Sequence, residues 1–101
     1  MEYSIFYPTD FDTIDPEDDN MDICVRFADG RDYTFVFATP QNLYTQMRHD
    51  GKSFLISGLP MLFVDVLTRD NVEAVIASIV NNRAMLRLYG DDILPMLEEI
   101  P

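Results

Sequence analysis

The sequence predicts a single α+β domain spanning residues 1–101: an antiparallel or mixed sheet of about five strands, with two or three helices packed on one face. Three observations predict it. Apolar residues alternate with polar ones in two neighbouring runs, Met21 to Phe27 and Tyr33 to Phe37, as half-buried strands require. Val72, Val75, Ile76, Ile79 and Val80 instead recur at helical spacing. Thr39-Pro40 and Thr68 are helix-start signals, and strand pairs interrupted by single helices favour α+β.

The first element is a short strand, Tyr3 to Tyr7, rich in β-formers and ended by Pro8. An acidic loop over residues 9–20 follows. Between Asp10 and Asp22 there are seven acids and no base, and Phe11 and Ile14 are its candidate anchors to the body of the domain. Then comes a hairpin. A two-residue Asp29-Gly30 turn would set Val25 opposite Thr34 and mix the faces. A three-residue loop of Ala28, Asp29 and Gly30 sets Val25 opposite Tyr33 and Ile23 opposite Phe35, which gathers the large apolar side chains on one face. Gly30 then supplies the left-handed position of the bulge.

Thr39 can accept from free N–H groups at a helix start, and Pro40 suits the first helical position. Leu43 and Met47 share a face of that helix, and Gly51 can end it in a left-handed conformation. A second strand pair is expected, Ser53 to Ile56 and Met61 to Leu67. Both faces of Met61 to Leu67 are apolar, the pattern of an interior strand. Thr68 caps the next helix, with Leu67 and Val72 placed to form a hydrophobic staple. Asn81-Asn82 ends or interrupts it. The tail, 83–101, reads as helical: Arg83 to Tyr89 forms a short helix closed by Gly90 or, alternatively, a strand, and Asp91-Asp92 caps a last helix.

Charge narrows the function. Eighteen acids against seven Lys and Arg give a net charge of -11. Direct nucleic-acid binding and docking on an anionic membrane both need clustered cations, so both are excluded as expectations. The longest apolar stretch without a charge, Phe54 to Val64, contains Ser57, Gly58 and Pro60 and falls short of the ~20 residues of a membrane span. No secretory signal is visible and Cys24 is alone, so no intrachain disulfide can form; the expected location is the cytoplasm.

Catalytic and metal constellations fare poorly. Neither Asp10 nor Asp18 starts a calcium loop of the right spacing: Asp15 or Ile23 falls where such a loop needs glycine. Asp65 alone among the acids lies in a strongly apolar run, with no assignable partner acid. His49 is the sole histidine, so Cys/His and His-rich metal sites are out of reach of one chain. Gly30, Gly51, Gly58 and Gly90 form no phosphate loop. The expectation is therefore no cofactor, no metal and no catalysis.

What remains is interaction. The acidic loop, with Asp10, Asp12, Asp15, Glu17, Asp18 and Asp19, suits a domain that neutralises a basic protein partner, as an immunity protein or antitoxin does a toxin. Two alternatives stand beside it. A nucleic-acid mimic would need the loop acids to adjoin Asp91, Asp92, Glu98 and Glu99. A homo-oligomeric domain, at its simplest a homodimer, would use its apolar excess as a self-interface. The loop reading also expects that neutralising Asp15, Glu17, Asp18 and Asp19 together leaves folding nearly intact.

Overall fold

The hairpin expected from alternation is the centre of the fold in a computed structural model, which describes residues 2–56 and 60–92. Its strands are β2 (Asn20–Phe27) and β3 (Asp32–Ala38). They pair antiparallel with Val25 opposite Tyr33 and Ile23 opposite Phe35. Gly30 takes φ 92°, a left-handed conformation that a side chain would strain. This register collects Met21, Ile23, Val25, Phe27, Tyr33, Phe35 and Phe37 on one buried face.

Two more strands extend the sheet, in the order β1-β2-β3-β4. β1 (Tyr3–Phe6) pairs antiparallel with β2, and β4 (Met61–Phe63) pairs parallel with β3. The sheet is therefore mixed. A two-residue β5 (Asp91–Asp92) also pairs with β3, opposite Tyr33 and Thr34.

Three helices complete the described chain: α1 (Pro40–His49), α2 (Arg69–Ile79) and α3 (Arg83–Tyr89). Thr39, Thr68 and Asn82 cap them, each side chain accepting from the backbone N–H three residues on. Val72, Ile76, Ile79 and Val80 of the α2 stripe, with Leu67 before it and Leu86 of α3, are buried in the same core as the hairpin face. Thus α2 and α3 cover one face of the sheet. Gly51 follows α1 at φ 66°, as expected of a helix-ending glycine.

Several expectations need correction. Ser53 to Ile56 forms no strand, and Ile56 is 84% exposed. The segment's expected partner run, Met61 to Leu67, is taken up by β3: Met61 to Phe63 pairs in parallel with Val36 to Ala38. The chain instead passes from β3 through α1 and returns in parallel, the crossover that parallel pairing requires. β4 is an edge strand with Phe63 exposed, not an interior one, and it ends after three residues because the chain turns toward the Thr68 cap. Asp91-Asp92 is strand rather than helix cap; the last helix expected beyond it lies outside the described residues.

The Arg83 to Tyr89 segment is helical, and Gly90 closes it for want of space. Gly90 has an ordinary extended φ of -92°. A Cβ there would stand 2.7 Å from the Leu86 carbonyl oxygen and 3.0 Å from the Tyr33 ring.

Candidate protein-interaction site

The acidic segment is ordered by its own carboxylates. Asp10 caps a single 3-10 turn, Phe11–Thr13, by accepting from the Asp12 N–H at 3.0 Å. Asp15 accepts from the Glu17 N–H, and Asp19 accepts from the N–H groups of Asp15 and Asn20, at 2.9–3.1 Å. The Asp10 and Asp15 bonds, each to the N–H two residues on, are Asx turns, in which a short side chain stands in for a backbone acceptor.

Two backbone bonds tie the segment to both long helices. The Asp19 carbonyl accepts from Thr39 N–H beside the start of α1, and the Pro16 carbonyl accepts from Leu67 N–H just before the cap of α2. Asp18 adds a side-chain clamp, accepting from Thr45 Oγ1 at 2.7 Å and Asn42 Nδ2 at 3.2 Å. Acids here stand near helix N-termini, where the partial positive charge of the helix favours them.

Aromatic contacts anchor the entry to the segment. The Tyr7 and Phe11 rings meet edge-on at 5.1 Å, and Arg69 at the start of α2 lies over both, at 4.5 and 5.2 Å from their centroids. The Tyr7 hydroxyl donates to Glu73 at 3.2 Å. Burial raises the Tyr7 pKa above the ordinary phenol value and the Glu73 carboxylate raises it further, against the pull of Arg69. Phe11 and Ile14 pack against the core, as their spacing suggested.

The six predicted acids therefore fall into two groups. Asp10, Asp15, Asp18 and Asp19 hold the local backbone or α1. Asp12 and Glu17 are exposed and make no side-chain hydrogen bond or ion pair among the described residues. Neutralising Asp15, Asp18 and Asp19 would remove turn and clamp acceptors, so the expectation that folding survives such a change is revised. The sequence marked the segment as an acidic loop without separating the turn-forming carboxylates from the two that are free of side-chain partners.

Among the described residues, none of the seven acids from Asp10 to Asp22 forms an ion pair. Three of the cations are engaged elsewhere: Arg69 on the Tyr7 and Phe11 rings, Arg26 on Asp32 at 2.8 Å, and Arg31 on Asp29 at 2.8 Å. The Arg31 N–H and guanidinium beside Asp29 hold that carboxyl below the usual range, the backbone contact first.

The described part of the second acidic group, Asp91 and Asp92, does not adjoin the first. Asp91 and Asp92 pair with Thr34 and Tyr33 near the hairpin turn, whereas Asn20 pairs with Ala38 at the other end of β3. Four residue steps, about 13 Å of strand, separate Thr34 from Ala38. Glu98 and Glu99 lie outside the described residues.

The side chains of the other singled-out residues make no hydrogen bond or ion pair to the segment or to one another among the described residues. Asp65 is exposed in the bend after β4. His49 ends α1 with Nδ1 3.6 Å from Asp50. Cys24 is half-buried on the face of β2 opposite the core, its Sγ 3.7 Å from Thr34 Oγ1. No group of three or more potential metal ligands occurs among the described residues. No helix among them is long and apolar enough to cross a membrane. Compared with protein families, curated proteins and solved structures, the chain matches none.

Proposed function

We propose that this domain is a non-enzymatic, cytoplasmic binder that neutralises a basic protein, in the manner of an immunity protein or antitoxin, through the acidic segment at residues 10–19. One observation carries the reading: a segment ordered by its own hydrogen bonds presents six acids without a paired cation among the described residues. An ordered surface of one sign steers a cationic partner into encounter and loses little entropy when it docks. Asp12 and Glu17 have both oxygens free for Arg or Lys of that partner, while Asp10 and Asp15 each have one oxygen committed to the turn. The nucleic-acid mimic draws less support, because Asp91-Asp92 and the acidic segment occupy opposite ends of β3.

Affinity capture from a lysate of the native organism, eluted with a salt gradient, tests the proposal. A stoichiometric basic protein leaving at elevated salt is the expected result. Recovery of the bait alone, or of partners that elute independently of salt, contradicts it.

A further inference from the structure

We propose that the edge of β1 pairs antiparallel with β1 of a second copy of this chain, about a two-fold axis at Ser4, so that two sheets join into one. The argument starts from the backbone. β1 ends the strand order, and β2 is its one partner among the described residues. The Ala28 N–H donates to the Glu2 carbonyl, while Tyr3 stands opposite Phe27. In an antiparallel ladder bonded and non-bonded pairs alternate, so Glu2, Ser4 and Phe6 turn their backbone groups toward β2. Tyr3 and Ile5 turn theirs outward, where nothing among the described residues meets them. The strand carries no Lys, no Pro and no bulge, the devices that usually blunt an edge, and Pro8 limits how far pairing can run.

Self-complementarity selects a second copy as the occupant. With the axis at Ser4, Tyr3 exchanges hydrogen bonds with the partner's Ile5, and Ile5 with the partner's Tyr3. Ser4 faces the partner's Ser4 across the axis, on the side of the sheet away from the core. Glu2 falls opposite the partner's Phe6, and within this chain Arg26 lies 5.6 Å from the Phe6 ring centroid. Each Glu2 thus meets the guanidinium of the other copy, which has donors beyond the two it gives Asp32. Phe6, 53% exposed, gains cover on the same side.

Charge also selects the register. The acidic segment follows β1, so antiparallel pairing sends the two segments to opposite ends of the joined sheet. An axis at Ile5 would set Glu2 opposite the partner's Pro8, two residues from the partner's Asp10, and bring like charges together. A two-fold pairing of this kind consumes both β1 edges and therefore closes at a dimer.

Sedimentation and cross-linking test this together. The wild-type chain is expected to dimerise in the micromolar range. Its dimer fraction should rise as salt screens the repulsion between two chains of charge -11. Ser4→Lys should weaken the dimer by about tenfold, because it sets like charges opposite one another, without changing the circular-dichroism melt recorded below the concentration at which the wild type dimerises. In a Cys24→Ser background, Ser4→Cys should oxidise to a covalent dimer, since opposed residues of a non-bonded pair lie about 4.5 Å apart at Cα, within disulfide reach. An equal mixture of Glu2→Cys and Phe6→Cys chains should cross-link into the heterodimer. A strictly monomeric wild type at high micromolar concentration in low and high salt would overturn the proposal. So would Ser4→Cys cross-linking no faster than a Ser78→Cys control on the exposed side of α2.

Discussion

α1 and α2 begin alike and are held in opposite ways. Thr39 and Thr68 cap them with the same hydrogen bond to the third N–H, and they are of nearly equal length, ten and eleven residues. Yet α2 buries Val72, Ile76 and Ile79 in the core, while no residue of α1 belongs to the core and its one buried side chain is Asn42. Asn42 is surrounded by polar partners: Asn20, Gln46 and Asp18. Each buried aliphatic of α2 contributes roughly 1.5–3 kcal/mol, against about 1 kcal/mol net for each hydrogen bond that holds α1. A capping signal thus decides that a helix starts; the chemistry of its stripe decides what fastens it. For α1 the fastening is the acidic segment.

The contrast is broken most readily by removing core volume. Ile76→Ala should cost about 2–5 kcal/mol, whereas Leu43→Ala on the half-buried side of α1 should cost less than about 1 kcal/mol. Urea denaturation of the two variants checks this, and equal losses would place α1 in the core after all.

Asp18→Ala comes next. It removes the acceptor shared by Thr45 and Asn42. Hydrogen bonds to a charged group are worth about 1.5–3 kcal/mol in total effect. Amide exchange should therefore quicken across α1 while α2 keeps its protection, the signature of a separately fastened unit. Loss spread evenly over both helices would contradict the distinction.

Smaller still is the effect of the caps themselves. Thr39→Ala and Thr68→Ala should each cost about 1 kcal/mol. Thr39 is fully buried, but the Asn42 N–H that its Oγ1 accepts from also donates to the Thr39 carbonyl at 3.1 Å, so the loss should stay at about 1 kcal/mol.

How much of this was legible in the sequence follows the same division. The β2–β3 register and the α2 stripe were readable because burial imposes a period on the residues, and a slip by one would expose Phe35 or Ile76. The strand expected at Ser53 to Ile56 went wrong because local β-propensity does not say which strand a segment pairs with: Met61 to Phe63 pairs with β3 rather than with Ser53 to Ile56. The short β4 misled for a related reason: its apolar residues continue past the ladder into the turn that carries Leu67. In the acidic segment, composition located the site, but it could not separate Asp18, which clamps α1, from Glu17 beside it, which has no side-chain partner among the described residues. That separation depends on Asn42 and Thr45, more than twenty residues away along the chain.

The smallest expected effect on folding carries the largest on binding. Asp12→Asn with Glu17→Gln should change stability by less than about 0.5 kcal/mol, as exposed residues without partners do. The decisive measurement is the association rate of this double variant, against wild type, with the basic protein recovered by salt-gradient capture, at low and high ionic strength. Slower association at low salt, a shallower salt dependence and an unchanged unfolding curve are the results predicted for a steered encounter through these two carboxylates. Identical rates at both salts would contradict the assignment of the acidic segment as the binding surface.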